Sequence, residues 1–315
     1  MAEQIKEVFR LAEAGQPSAV AQLGLWELVG HGVPRKPAAG VRRIIAAAEV
    51  GDPLGLHLAG IVDAGGIGTP RNVGRALQWL ERLAKTGNAR AAEAHRLLSA
   101  PGAIEALSAP SERRLEREDP PVSIIDDFLP EWACDYVMRL SGPVLTRGKV
   151  VDEAGGESVR GERTNTVMNF GLVDSDVLLE LINNRIAEAA GMPPQNAEAL
   201  GVLHYAPGEQ YKPHVDYIPD TPANAQQLAE RGQRVRTLLV YLNEGFEGGA
   251  TEFPRLDLAY KPARGGALIF DSVKADGSVD PLTLHTGAPP TRGEKWVISK
   301  WFRSKALRPG PTPAS

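Results

Sequence analysis

Two textures of hydrophobic and polar positions divide the chain. The first hundred residues read as amphipathic helices separated by short Gly/Pro loops. After Pro121, short apolar and β-branched runs alternate with Gly, Asn and Asp turns. They are "VSIIDDF", "TNTVMNFG", "LGVLHYAP", "RTLLVYLN", "GGALIFDS", "LTLHTGAP" and "KWVISKWFR". Many short strands with turn signals between them predict a β-sandwich or barrel. Two helical stretches, "PEWACDYVMRLSG" and "SDVLLELINNRIAEAAG", interrupt the strands and are expected to pack outside them.

The helical part repeats. "AEAGQP" at 12–17 returns as "AEVGDP" at 48–53 and, more weakly, as "AKTGNA" at 84–89, so that Gly15, Gly51 and Gly87 are spaced by 36. A period of this length marks stacked supersecondary units. Each unit reads as two helices, the first pair over about 17–29 and 37–50. Pro17 and Pro53 stand at helix starts, where a missing N–H costs nothing, and Gly51 stands just past a helix end. The pattern resembles the Sel-like class of tetratricopeptide-related repeats over roughly residues 3–98. That resemblance implies a concave surface for another protein. The alternative is that so few repeats form no groove and simply pad the second domain.

Residues 99–121, "SAPGAIEALSAPSERRLEREDPP", are rich in Pro, Ala, Ser and charge and read as a linker, with "SERRLERE" as a short exposed helix. The expected organisation is a repeat segment at 1–98, this linker, a β-rich domain at 122–307 and a tail at 308–315.

Composition narrows the classes. With 43% apolar and 23% charged residues in 315, the chain is globular rather than disordered. A net charge of −4 gives no electrostatic footprint for nucleic acid or an anionic membrane. A single cysteine, Cys134, excludes an internal disulfide and a multi-thiolate metal site. The N-terminus lacks the basic and apolar regions of a signal peptide, and no apolar run reaches membrane-spanning length. The expected location is cytoplasmic.

Within "YKPHVDYIP", His214 and Asp216 are two residues apart, so on a strand they share a face. A histidine and a carboxylate side by side are two-thirds of a facial triad for non-haem Fe(II). Beyond Asp216 the remaining histidine is His285, in "LTLHTGAPP". Ten residues later Lys295 opens a strand on which Lys295, Val297, Ser299 and Trp301 share one face. A lysine among core-facing residues is costly unless an anion pairs with it. A dicarboxylic cosubstrate would supply that anion, and Tyr205 could donate a hydroxyl to it.

The stretch 122–303 resembles the prolyl 4-hydroxylase family of Fe(II)- and 2-oxoglutarate-dependent oxygenases. The resemblance rests on five segments in order: "SIIDDFLPEWACDYVM", "HYAPGEQYKPHVDY", "RVRTLLVYLNEGFEGGATEFP", "GGALIFDSVKADGSVDPLTLHTGAPP" and "EKWVISKWF". It implies a double-stranded β-helix (jelly-roll) domain, and with the repeats an α+β chain. It implies His214, Asp216 and His285 as iron ligands, and Lys295 as the partner of the distal 2-oxoglutarate carboxylate. Tyr205 and Thr251 would complete that carboxylate's pocket, while Tyr211 and Arg236 match positions near the substrate. The implied cofactors are Fe(II), 2-oxoglutarate and O2, with ascorbate as reductant.

Ala250 and Thr283 depart from, or lie at variable positions of, the family pattern, which bears on the substrate. By family analogy the substrate is a prolyl residue in a protein or peptide. A free amino acid or other small molecule is the alternative, and a non-catalytic interaction scaffold is the alternative of another class. Segment 218–233 is expected to be a lid over the substrate.

Overall fold

In the computed structural model, residues 2–148, 150–151, 157–158 and 161–311 are described. The chain forms two compact units. The first comprises the chain up to Glu105, Leu172–Arg185 and the segment from Arg308; the second comprises Ala106–Gly171 and Ile186–Leu307. The units therefore do not follow the linear boundaries expected from the sequence.

Six helices build the first unit: α1 (Ala2–Glu13), α2 (Pro17–Val29), α3 (Pro37–Glu49), α4 (Pro53–Gly65), α5 (Val73–Ala84) and α6 (Ala89–Leu98). The expected pairs at 17–29 and 37–50 appear with at most one residue of difference. Proline opens α2, α3 and α4. Gly15, Gly51 and Gly87 each take a positive φ of 76–88°, which lets the chain leave a helix without the Cβ penalty of the left-handed region. Asp52 and Asn88 accept the N–H three residues on and cap α4 and α6. The repeat interior is small and apolar, built on Leu28, Ile44, Leu58, Ile61 and Val62.

A helix that begins 79 residues beyond α6 completes this stack. The short α7 (Ala103–Ser108) and α8 (Glu131–Ser141) intervene, and α9 (Val177–Ala190) counts with the repeats as far as Arg185. Val177 lies so close to α4 that a Cβ on Gly60 would stand 2.8 Å from its Cγ2. Asn184 donates to the Ala64 carbonyl at 3.1 Å. Glu180, 2% exposed, takes an ion pair from Arg308 at 2.9 Å.

In the second unit the strands come in chain order as β1 (Arg114–Arg117), β2 (Val122–Ile125), β3 (Thr146–Arg147), β4 (Val150–Val151), β5 (Glu157–Ser158), β6 (Thr166–Phe170), β7 (Leu200–Tyr205) and β8 (Tyr211–His214). After α10 (Ala225–Arg231) come β9 (Arg234–Tyr241), β10 (Glu247–Gly248), β11 (Thr251–Phe253), β12 (Leu258–Tyr260), β13 (Ala267–Asp271), β14 (His285–Gly287), β15 (Pro290–Arg292) and β16 (Lys295–Arg303). The major sheet has the order β1-β2-β13-β9-β16-β7-β6-β3, and the minor sheet β12-β11-β14-β8.

Side chains from both sheets meet in one core. Leu239, Tyr241, Phe270 and Val297 of the major sheet pack with Phe253 and Tyr260 of the minor one. This is the double-stranded β-helix, and with the repeats the chain is α+β. "SERRLERE", expected as a helix, instead supplies β1. Leu115 alternates with Arg114 and Glu116, and the segment pairs with the buried strand β2, which outweighs its local helix preference.

Candidate metal centre

The site grows from strand register. β8 and β14 run antiparallel with His214 directly opposite His285. Asp216 follows two residues after His214, and one ligand atom from each of the three lies within 4.8 Å of the others. Asp216 and His285 are 4% and 5% exposed.

Both imidazoles are oriented by their own strands. Nδ1 of His214 lies 2.8 Å from the Lys212 carbonyl, and Nδ1 of His285 lies 3.0 Å from the Thr283 carbonyl. A carbonyl only accepts, so each Nδ1 carries the proton and each Nε2 presents a lone pair. Those Nε2 atoms stand 3.8 and 3.6 Å from the Asp216 oxygens. Burial and the neighbouring His285 push the His214 imidazolium down to about 3, so the ring is a neutral donor. Burial raises the Asp216 carboxyl, but the two imidazoles and a 2.6 Å hydrogen bond from the Thr237 hydroxyl outweigh it and hold it below its usual range. Two imidazole nitrogens and one carboxylate oxygen converging on a point suit a divalent first-row cation.

A second polar group lies deeper in the barrel. Lys295 opens β16 opposite Tyr205 of β7, and Thr251 of β11 faces Gly287 of β14. The Lys295 Nζ stands 5.0 Å from the centroid of the Tyr205 ring and 5.1 Å from that of Tyr241. It is 2% exposed, and burial, aided by Lys261, pushes it down to about 7. Tyr241 and Thr251 share a 2.8 Å hydroxyl hydrogen bond beside it. Gly248 and Gly249 both take φ near +70°. A Cβ on Gly249 would stand 2.8 Å from the Phe246 ring, so only glycine fits against that ring, while the Lys295 stem at 3.4 Å would be in ordinary contact.

One cavity gathers Tyr205, Tyr211, His214, Asp216, Thr251, His285 and Lys295, with Val297, Ser299 and Trp301 on the shared face of β16. Arg236 is not among them. It falls on the opposite face of β9 from Thr237, pairs with Asp271 at 2.5 and 2.8 Å, and donates to the Ala190 carbonyl. The expectation that Arg236 sits near the substrate is corrected by this alternation. Arg236 lines a separate and larger groove, about 760 Å³, which contains none of the converging donors. The chemistry therefore belongs to the smaller cavity.

Four side chains at the site were not singled out from the sequence. Thr237 and Tyr241 share the inward face of β9 with Leu239, and strand alternation counted from Tyr241 would have found Thr237. Arg234 lays its guanidinium 3.9 Å over the Trp301 ring and pairs with Glu198 at 2.8 and 3.0 Å. Arg163 stacks on Tyr211 from a segment with no periodic pattern, which no local signal marks. Segment 218–233 carries α10. The Gln233 side-chain amide closes it by accepting from the Ile218 N–H at 2.7 Å and donating to the Ile218 carbonyl at 2.8 Å.

The sequence model of the 2OG-Fe(II) oxygenase superfamily matches residues 200–303. Prolyl 4-hydroxylase 1 of Arabidopsis thaliana is 36% identical over 202 residues, covering 59% of this chain and 70% of that protein. Probable prolyl 4-hydroxylase 8 of the same plant is 35% identical over 206 residues, covering 58% and 69%. A viral collagen prolyl hydroxylase from Paramecium Bursaria Chlorella virus-1, solved as its 2OG complex, aligns with a TM-score of 0.44 at 24% identity, covering 58% of this chain and 96% of that one. From its relatedness to these plant proteins over more than two thirds of their length, the chain belongs to the prolyl 4-hydroxylase family and is a dioxygenase that uses Fe(II), 2-oxoglutarate and O2.

Proposed function

We propose that His214, Asp216 and His285 hold the iron, that Lys295, Tyr205 and Thr251 hold the distal carboxylate of 2-oxoglutarate, and that the enzyme hydroxylates prolyl residues in a protein or peptide. The observation that carries this reading is the convergence of two Nε2 lone pairs and one carboxylate within 4.8 Å, in the same cavity as a buried lysine. When bound, the metal and keto acid supply the oxidation: 2-oxoglutarate loses CO2 to give succinate, and one oxygen atom of O2 enters a substrate C–H bond.

The chain's own residues do the rest. The carbonyls of Lys212 and Thr283 fix the imidazole tautomers. The Thr237 hydroxyl keeps one Asp216 oxygen engaged, which leaves the other to the metal. Lys295 meets an incoming carboxylate in a buried site, where a charge pair is stronger than in water. Trp301 and Arg234 form a wall beside the metal on which a peptide segment would lie.

The prolyl substrate is supported by the two plant relatives, both prolyl 4-hydroxylases by name. The repeats fit a Sel-like segment offering a surface to a protein partner, and 218–233 fits a lid over the substrate. No helix among the described residues is long and apolar enough to cross a membrane. A cytoplasmic location belongs to the same proposal, and the lone, buried Cys134 needs no oxidising compartment.

The test is turnover of 2-oxoglutarate with Fe(II) and ascorbate over a panel of proline-containing peptides, read by succinate and by a +16 Da mass shift of proline. Wild type is expected to give both, and His214→Ala neither. Succinate with the mass shift only on free amino acids would replace the peptide reading, and no succinate on any substrate would remove the catalytic one.

A further inference from the structure

The Tyr211 ring lies face to face on the His214 imidazole, with centroids 3.5 Å apart and planes within 11° of parallel. The Arg163 guanidinium also lies over the phenol ring, 4.8 Å from its centroid. Arg163 is 8% exposed, its backbone bridges antiparallel to that of Tyr211, and its Nε donates to Asn165 Oδ1 at 3.1 Å. The phenol ring thus makes contact with two flat groups, and both contacts are made by the ring.

His214 needs such support. Its Nδ1 bond runs to a carbonyl two residues back on its own strand, which sets the tautomer but leaves the ring free to rock about that axis. On the metal side, the ring of His285 meets it tilted by 54° and offers no parallel surface. A flat aromatic face at 3.5 Å removes the rocking motion. The contact also has the right sign. Metal coordination draws electron density from the imidazole, and the negative face of a phenol ring attracts an electron-poor partner more than a neutral one.

We propose that Tyr211 is a positioning residue for His214, acting through its ring face on the orientation of a metal ligand rather than through its hydroxyl on the substrate. The proposal rests on the metal reading above. Removing a hydrogen-bonded outer partner of a metal ligand costs roughly 10–100-fold in metal affinity, and the stacked ring is expected to act at the lower end of that range.

The experiment is a titration of the full chain with Co(II) alone, followed by its visible absorption, on wild type, Tyr211→Phe, Tyr211→Leu and Tyr211→Met. Circular dichroism reports folding, and the Met variant serves if the Leu variant does not fold. Phe is expected to keep the wild-type Kd and spectrum. Leu and Met are expected to weaken Co(II) binding by about tenfold or more and to shift the absorption bands. Aliphatic variants that bind as wild type would overturn the inference while leaving the metal reading intact. A Phe variant as weak as Leu would also overturn it, by moving the role to the hydroxyl. Wild type that binds no Co(II) would overturn both together.

Discussion

Lys295 is the side chain whose state depends most on what fills the cavity. Alone, it is held down to about 7 by burial and by Lys261. A dicarboxylate beside it favours the ammonium form. Below pH 7 the lysine is already charged, and binding needs no proton. Above pH 7 binding must take one up, so affinity is expected to fall by up to about tenfold per pH unit. Anaerobic 2-oxoglutarate titration of the Fe(II) form between pH 6 and 9 measures this, and a flat profile would remove Lys295 as the carboxylate's partner. Thr237→Val deletes the hydrogen bond that orients Asp216 while keeping the side chain's shape. Metal affinity is expected to fall by roughly 10–100-fold, with 2-oxoglutarate binding to the loaded protein little changed. Equal metal affinity would mean that β8 alone fixes the carboxylate.

Among elements, the join between β9, β16 and the segment preceding β7 depends on one carboxylate. Glu198 accepts from Arg234 at 2.8 and 3.0 Å and from Arg303 at 2.5 Å, and Arg303 also donates to the Gly232 carbonyl at the end of the α10 segment. Burial raises the Glu198 carboxyl, but the two guanidinia outweigh it and hold it below its usual range. A carboxyl lowered by folding contributes stability above its ordinary range and loses that contribution as pH falls through its folded value. Glu198→Ala leaves the nearly buried Arg303 without its charge partner and is expected to cost about 3–5 kcal/mol at neutral pH. The deficit should shrink in acid. Urea unfolding of both proteins at pH 7 and pH 4 checks both halves, and an equal deficit at the two pH values would deny the charge pair its role.

The same elements show what sequence alone could reach. His214, Asp216, His285 and Lys295 were legible because strand alternation and the order of five segments point to one face of one barrel. Arg236 was misread by a single position: the inward residue is Thr237, since alternation from Leu239 and Tyr241 sends 236 outward. Arg163 could not be found, because its partner Tyr211 lies across a gap that only folding closes. β1 was missed because pairing with β2, and not its own propensity, makes it a strand.

For the whole molecule, the two units share the chain unevenly. Residues 172–185 and the segment from Arg308 belong with the repeats, although 122–307 reads as one domain in sequence. Cutting at residue 98 therefore removes α4, against which Val177 and Asn184 pack, both at most 7% exposed. A chain lacking residues 1–98 is expected to be less soluble and to lose thermal stability by more than a peptide-docking surface would explain. Comparison of soluble yield, melting temperature and uncoupled 2-oxoglutarate turnover checks this. A deletion protein as soluble and stable as the full chain would show that 172–185 folds without the repeats.

The distance in sequence between α4 and the helix that covers it also has a cost in time. On the ribosome, α4 is complete roughly 120 residues before Arg185 is made, an interval of about 6–24 s at 5–20 residues per second. Throughout that interval the Gly60–Gly65 face of α4 has no native cover. The nascent repeats thus pass through a stage in which the face of α4 that α9 covers has been made and the chain that hides it has not.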